Sequence, residues 1–206
     1  MSTVADRALA ILTEARALIT GSHIVYTSGR HGSTYVNKDA VYPNTARVSE
    51  LCQMMAAAAA GKGVEVVCGP ATGGIILSTW TGHHLGVPAV YAEKDAGGGM
   101  VLKRGYDQVV RGKRVLVVED IVNTGGSLRD TVVAIQAAGG TVMLACALCN
   151  RGAITAEAVG APELIALVEL DLESWPAETC PLCRDRVPIN MDVGKGREFL
   201  TRRSGD

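Results

Sequence analysis

The sequence predicts an α/β fold, an open and mostly parallel sheet flanked by helices. Short apolar runs rich in β-branched residues alternate with helical patterns along most of the chain. This alternation is typical of parallel strands that are joined by helical crossovers. A strand with one solvent-exposed face alternates apolar and polar residues, and these runs show no such alternation. We therefore expect helices to cover both faces of the sheet.

The elements follow in order along the chain. Apolar residues from Val4 to Ile19 recur at helical spacing and Gly21 follows as a stop, which predicts an opening amphipathic helix. Residues 21–44 mix β-branched and aromatic residues with Gly and Ser, and predict two short strands around a turn, a small N-terminal hood. The expected strands after it are VEVVCG, PAVYAE, KRVLVVED and TVMLACALCN, and the expected helices begin at Thr45, after GPATGG and at Ser127.

The length favours a single domain. The chain has 206 residues, 48% of them hydrophobic, which is enough for one substantial core. No repeat, low-complexity tract or linker divides it. We therefore expect one domain over residues 1–206, with a hood at about 21–44 plus a C-terminal tail, and a core at about 45–170.

Charge and hydropathy exclude several classes of function. A net charge of −1 gives no cationic field of the kind that nucleic-acid-binding proteins use. No apolar run approaches the roughly 20 residues that span a bilayer, and the N-terminus carries its charges inside the apolar pattern, unlike a signal peptide. Cys52, Cys68 and Cys146 lie in apolar segments, as thiols of a reducing compartment do. We expect a cytoplasmic protein without nucleic-acid or membrane partners.

Three further motifs are open to metal or redox interpretations. The C-x-x-C at 146–149 falls on a predicted strand, where its two thiols would face opposite sides, so we interpret both as core residues. The C-x-x-C at 180–183 lies outside the core pattern, but it supplies only two of the four ligands of a structural zinc. Surface thiols or a redox-sensitive pair are the favoured interpretation there, and zinc is the alternative. His83 and His84 lack the spacing of helical zinc ligands.

The most informative stretch is VLVVEDIVNTGGSLRD. Val115–Val118 reads as a central strand, which places Glu119 and Asp120 at its carboxyl end, where ligands bind in open α/β sheets. The NTGGS turn that follows can aim backbone N–H groups and hydroxyls at a phosphate, with help from the dipole of the next helix. The two acids and the turn that follows them have the span of one ribose 5-phosphate. The turn would bind the phosphate, and the acids would accept hydrogen bonds from the ribose hydroxyls.

Two other interpretations of this stretch are open. Asp120 and Asn123 could simply shape a turn while Ser127 caps a helix. A dinucleotide site would place its acid roughly 20 residues after the glycine loop, not directly before it, and the Walker A pattern of a P-loop is absent.

A second charged segment, AEKDAGGGMVLKRGY, combines Lys94, Lys103 and Arg104 with three consecutive glycines. A charge run of this kind is usually a solvated face. The glycines and the flanking strands favour a mobile cationic lid that covers a polyanion and excludes water.

The stretch VLVVEDIVNTGGS resembles the phosphoribosyl-diphosphate signature of the type I phosphoribosyltransferases. The motifs TSGRHGSTYVNKD, GPATGGIILS, VPAVYAEKD and LKRGY occur in the same order as in the orotate phosphoribosyltransferases of that family. The resemblance covers about residues 11–151 and implies the type I phosphoribosyltransferase fold.

The resemblance also implies a set of site residues. Asp120, Lys94 and Lys103 would be catalytic. Phosphoribosyl diphosphate would be bound by Glu119, Asp120, Asn123, Thr124, Gly125, Gly126, Ser127, Thr72, Gly73, Lys94, Lys103 and Arg104. Orotate would be bound by Tyr35, Val36, Lys38, Thr124 and Arg151, with the guanidinium on the orotate carboxylate.

The chain departs from the family pattern at two places. The histidine that the family carries in the lid has no counterpart here, and Thr27 stands where some orotate enzymes carry a lysine. These departures bear on the lid contacts and on the identity of the base.

The implied reaction transfers ribose 5-phosphate from phosphoribosyl diphosphate to orotate, giving orotidine monophosphate and pyrophosphate for pyrimidine biosynthesis. Mg²⁺ would enter with the substrate, without direct protein ligands, and a homodimer would share the lid across its interface. The alternatives are transfer to another nucleobase in salvage, and a regulator that senses phosphoribosyl diphosphate without catalysis.

Overall fold

The computed structural model describes residues 3–170 and 172–203. The helices are α1 (Val4–Glu14), α2 (Thr45–Ala58), α3 (Gly73–Leu85), α4 (Tyr106–Val110), α5 (Gly126–Ala137), α6 (Ala156–Val159), α7 (Pro181–Arg184) and α8 (Gly196–Arg203). The strands are β1 (Leu18–Ile19), β2 (Ile24–Val25), β3 (His31–Gly32), β4 (Tyr35–Val36), β5 (Val66–Pro70), β6 (Ala89–Lys94), β7 (Met100–Val101), β8 (Arg114–Val122), β9 (Thr141–Asn150), β10 (Leu164–Glu169) and β11 (Ser174–Trp175).

The chain divides into two compact units. The larger unit comprises Met1–Leu9 and Asn44–Leu170, and the smaller unit comprises Ala10–Pro43 and Asp171–Asp206. The smaller unit thus joins the expected hood to the C-terminal tail. The assignment of a single domain stays a prediction.

The larger unit contains a six-stranded sheet in the order β10-β9-β8-β5-β6-β7. The five strands from β10 to β6 pair in parallel, and β7 pairs antiparallel with β6 at the edge. The predicted α/β fold class is therefore confirmed. The central strand β8 is buried through Val115–Val118, each with 0% exposure, as expected for a strand covered on both faces.

Local sequence signals account for most element boundaries in this unit. The helix α2 begins at Thr45, as predicted, because the Asn44 side chain accepts a hydrogen bond from the Arg47 N–H at 3.2 Å and caps the helix. Gly86 ends α3 in the left-handed conformation, with φ 68°. The strand predicted from TVMLACALCN matches β9. The strand β10 had not been predicted.

The opening helix is shorter than the sequence pattern predicts. It ends at Glu14, and Arg16 then adopts a left-handed φ of 54°. The Ala17 N–H donates to the Leu12 carbonyl, which closes the helix C-terminus in the manner of a Schellman motif. The prediction of helix up to Ile19 is wrong, because Leu18 and Ile19 instead form β1, antiparallel to β4.

The smaller unit is held together by strands from both ends of the chain. The predicted hairpin is present as β2 and β3, and β11 from the tail pairs with the other edge of β3. The tail also donates two backbone hydrogen bonds to the hood, from Asn190 N–H to the His23 carbonyl and from Lys195 N–H to the Val25 carbonyl, both 2.8 Å long. The C-terminal tail therefore completes the hood. In the described part of the chain, no helix has the length and apolar character needed to cross a membrane.

Candidate active site

The strand order reverses between β5 and β8. From β5 the chain crosses through α3 to β6 on one side, whereas from β8 it crosses through α5 to β9 on the other. Such a switch point opens a crevice at the carboxyl ends of the two strands. The GPATGG loop follows β5 and the NTGGS loop follows β8, so the two glycine loops expected to meet anions flank this crevice.

The two acids lie inside β8, near its carboxyl end. The predicted strand segment KRVLVVED ends at Asp120, and the pairing of β8 with β9 continues two residues further to Val122, which is opposite Asn150. Glu119 and Asp120 are 7% and 5% exposed. The Glu119 carboxylate accepts from the Asp120 N–H at 3.0 Å, and the Asp120 carboxylate accepts from the Ile121 N–H at 2.6 Å. The acids are therefore fixed by the backbone that follows them.

The loop after β8 encloses a cavity of ≈ 100 Å³, which Glu119 also lines. Its other lining residues are Ile121, Val122, Asn123, Thr124, Gly125, Gly126, Ser127 and Leu128. All five predicted phosphate-loop residues are thus brought together, whereas Asp120 does not line this cavity.

The start of α5 presents backbone donors to the cavity. Gly125 is the N-cap residue with φ 74°, and no side chain caps the helix. The alternative in which Ser127 merely caps the helix is therefore excluded. The first N–H groups of a helix have no intrahelical partners, so an anion in the cavity would meet them together with the positive end of the helix dipole.

The loop after β9 supports the phosphate loop. The Arg151 N–H donates to the Val122 carbonyl at 2.9 Å. A side chain on Gly152 would collide with the Asn123 carbonyl, because its Cβ would lie 1.8 Å from that oxygen. The half-buried Arg151 is therefore held beside the start of the phosphate loop.

Asn150 is a positioning residue that we did not predict. It is 3% exposed, its amide N–H donates to the Ile154 carbonyl at 3.0 Å, and its amide oxygen accepts from the Ile154 N–H at 3.2 Å. These bonds shape the turn that carries Arg151. The signal in the sequence was an Asn at the end of a long apolar run, directly before Arg-Gly.

The GPATGG loop serves packing at two of its glycines. A Cβ on Gly69 would lie 2.4 Å from the Gly74 carbonyl oxygen, so these two glycines allow α3 to approach β5 closely. The structure thus shows a packing role for these two glycines. Gly73 starts α3, and the exposed Thr72 precedes it without capping the helix through its side chain. The Ala71–Thr72 peptide bond is cis.

The predicted lid is a short hairpin built from β6 and β7. Its tip closes through two hydrogen bonds, from Asp95 N–H to the Gly99 carbonyl and from Gly99 N–H to the Asp95 carboxylate, both 2.9 Å long. Lys94 and Lys103 are exposed, and the Lys103 ammonium lies 3.4 Å from the Lys94 carbonyl. The hairpin thus places the Lys103 ammonium beside the backbone of Lys94.

Arg104 is paired within the lid. Its guanidinium donates to the Glu93 carboxylate, with distances of 3.0 and 3.2 Å from Nη2 to the two oxygens. Hydrogen bonding to Glu93 raises the pKa of Arg104 above its ordinary value. Arg104 therefore braces the hairpin in this structure.

The predicted base-binding residues of the hood belong to the smaller unit. Tyr35 is half-buried, and Val36 is 4% exposed because it alternates to the inner face of β4. Lys38 is half-buried in the short helical turn that follows.

The remaining cysteine and histidine motifs differ in burial. Cys146 and Cys149 are buried in β9, as predicted. His83 is exposed, and His84 lies 3.0 Å from the Ser49 hydroxyl. The expectation of surface thiols at 180–183 is wrong for Cys180, which is 2% exposed because it faces the His23 ring.

Comparison with known proteins agrees with this geometry. The phosphoribosyl transferase domain profile matches residues 37–168. The orotate phosphoribosyltransferase of Pelotomaculum thermopropionicum is 38% identical over 89% of this chain and 94% of its own. That of Heliobacterium modesticaldum is 40% identical, with the same shares covered.

A solved structure extends the comparison to a ligand complex. The orotate phosphoribosyltransferase of Mycobacterium tuberculosis in complex with phosphoribosyl diphosphate superimposes with a TM-score of 0.63 and 26% identity, over 81% of this chain and 96% of that one. With the profile covering more than half of the chain and the relatives nearly all of it, the chain belongs to the phosphoribosyltransferase family.

Proposed function

We propose that this protein transfers ribose 5-phosphate from phosphoribosyl diphosphate to orotate, releasing pyrophosphate and forming orotidine monophosphate for pyrimidine biosynthesis. The main observation in support is the cavity after β8. The buried Glu119 carboxylate and the start of α5, which no side chain caps, both line it. This combination suits a sugar phosphate, because hydroxyls donate to the acid while the phosphate accepts from the helix. The relatives named above support orotate as the base.

The mechanism needs no protein nucleophile. Positive charge develops on the ribose ring as the bond from the anomeric carbon to pyrophosphate breaks, and the orotate nitrogen attacks the same carbon. Glu119 and Asp120 would accept from the ribose hydroxyls and stabilise the developing charge. The first turn of α5 would hold the 5-phosphate, so that the reacting atoms are oriented before the bond breaks.

The leaving pyrophosphate requires positive charge. Thr72 and Gly73 lie at the start of α3, where backbone N–H groups suit one of its phosphates. Lys94 and Lys103 on the hairpin are the cations that we expect to neutralise it, with Arg104 beside them. Mg²⁺ would enter with the substrate, without a direct protein ligand, and would supply further charge neutralisation beside the lysines.

Arg151 is our candidate for the orotate carboxylate. It lies beside the phosphate loop, and a planar guanidinium pairs with a carboxylate through two parallel hydrogen bonds. Tyr35, Val36 and Lys38 remain the proposed hood contacts, together with Thr124 on the loop. We further propose a cytoplasmic homodimer that shares the lid, a proposal that rests on the family resemblance.

A turnover assay with several bases tests the proposed function. The purified chain would be incubated with phosphoribosyl diphosphate, Mg²⁺ and either orotate, uracil, hypoxanthine or guanine, and pyrophosphate release would be measured. We expect release with orotate alone. Release with another base would contradict the orotate assignment and leave the phosphoribosyl site standing, whereas binding without turnover of any base would indicate a regulator.

The lid gives a separate prediction. Amide hydrogen exchange over residues 93–105 should slow when phosphoribosyl diphosphate binds, because the glycine-rich tip is exposed and its closure would protect it. Exchange in α2, far along the chain from the lid, serves as the internal control. Equal exchange rates in the lid with and without saturating ligand would contradict closure.

A further inference from the structure

A cluster of two histidines and two cysteines lies in the smaller unit, and none of the four is assigned to the reaction. His23 precedes β2, His31 lies in β3, Cys180 precedes α7 and Cys183 lies within it. One ring nitrogen or sulfur from each residue lies within 4.8 Å of all the others. Folding thus brings together four strong zinc ligands that the sequence separates by about 150 positions.

We propose that these four residues bind one structural zinc ion. The His23 Nε2 lies 2.8 Å from the His31 Nδ1 and 3.7 Å from each of the two sulfurs, and the Cys183 sulfur lies 3.4 Å from the His31 Nδ1. In a tetrahedral Cys₂His₂ site, bonds of about 2.0 and 2.3 Å place neighbouring ligand atoms roughly 3.3–3.8 Å apart. The three nitrogen–sulfur separations already lie in this range. Closing the site would require the two ring nitrogens to move about half an ångström apart from 2.8 Å and the most distant pair of ligand atoms to close from at most 4.8 Å.

The orientation of His23 favours metal binding. Its Nδ1 lies 2.8 Å from the Val187 carbonyl oxygen, which can only accept, so Nδ1 carries the hydrogen. The lone pair of the neutral ring then resides on Nε2, the atom that faces His31 and both thiols. A backbone carbonyl that fixes the outer nitrogen of a ligand histidine is a common feature of zinc sites.

Burial and charge fit zinc as well. His23, His31 and Cys180 are 1%, 0% and 2% exposed, and the Phe199 ring packs edge-on against His31 with the ring centroids 4.8 Å apart. Two thiolates and two neutral imidazoles cancel the charge of Zn²⁺, so a buried site would carry no net charge. Four protein ligands leave no open position, which indicates a structural rather than a catalytic ion.

The other four cysteines belong to the larger unit. Burial raises the pKa of the thiols of Cys52, Cys68, Cys146 and Cys149 to about 12. They are protonated core residues in the larger unit, and one of them provides a matched control.

The site would join the two ends of the chain. The histidines belong to the hood and the cysteines to the C-terminal tail, and a metal bond between them would hold the tail against β2 and β3. Because zinc binds the folded arrangement, its binding free energy would add to the stability of this unit.

Metal content and ligand type test the proposal. The full chain would be purified under reducing conditions, loaded with zinc and freed of excess ion by gel filtration. Mass spectrometry of the metal should find one zinc per chain in the wild type and in Cys52→Ala, and almost none in the double variant Cys180→Ala/Cys183→Ala. X-ray absorption at the zinc edge of the wild type should show two sulfur and two nitrogen neighbours.

The X-ray absorption spectrum is measured on the wild type alone. It therefore tests the proposal even if the double variant fails to fold. A wild type that retains no zinc after loading would overturn the proposal. So would a spectrum without sulfur neighbours, or a folded double variant that retains a full zinc ion.

Discussion

Arg151→Ala is expected to weaken orotate binding tens- to thousands-fold while leaving the affinity for phosphoribosyl diphosphate nearly unchanged. Loss of a charge-assisted bidentate contact in a partly desolvated pocket costs about 2–5 kcal/mol. Arg151 is half-buried and its backbone is held by the Val122 carbonyl, so the variant should retain the loop. Calorimetric titration with each substrate separately measures both affinities.

Two further variants sharpen this result. Arg151→Lys should restore only part of the affinity, because an ammonium cannot reproduce the planar fork. Arg111→Ala removes an exposed arginine at the end of α4 and should leave both affinities at the wild-type value. Equal weakening of both substrates by Arg151→Ala would contradict a specific contact with the orotate carboxylate.

The sequence was sufficient to predict most strands and helices of the larger unit, because their signals are local. A buried apolar run, a cap such as Asn44 and a glycine stop such as Gly86 each act within a few residues, so the predicted helix start at Thr45 and the strand TVMLACALCN were both confirmed. The strand β8 extends two residues beyond the predicted segment KRVLVVED, because a long-range partner decides where the strand ends. Pairing with β9 carries the strand through two acidic residues that local preference would place in a turn.

The smaller unit shows what local signals cannot predict. The tail residues Asn190 and Lys195 bond to hood backbone that precedes them by more than 160 positions, and no periodicity in the sequence reports such pairing. The same holds for the proposed zinc site. The sequence gives Cys180–Cys183 as half of a ligand set, whereas His23 and His31 become ligand candidates only when β2 and β3 form.

The candidate site was predictable to a similar extent. The NTGGS loop and the acids before it were found because chemistry and position coincide on one short stretch. The contributions of Asn150 and Gly152 were missed, because they act by shaping the neighbouring loop and contribute no recognisable ligand chemistry themselves.

Asp120→Asn is expected to lower kcat by about 100- to 1000-fold, the usual effect of removing one preorganised electrostatic contact to a transition state. The substitution is nearly isosteric and keeps the oxygen that accepts from the Ile121 N–H, so the backbone at the end of β8 should remain in place. In the proposed mechanism it removes a negative charge that stabilises the positive charge developing on the ribose. Steady-state rates with orotate, together with thermal unfolding to confirm the fold, measure the effect.

Asp130→Asn is the matched control, because it makes the same change of charge on α5 at a side chain that is 38% exposed and pairs with Arg129. It should turn over at the wild-type rate. Glu119→Gln addresses the neighbouring acid, which lines the cavity directly, and it should also slow turnover because it too alters charge next to the sugar. If Asp120→Asn and Glu119→Gln both fold and both retain wild-type kcat, the carboxylates do not act on the ribose, and their burial in β8 would have to serve the strand alone.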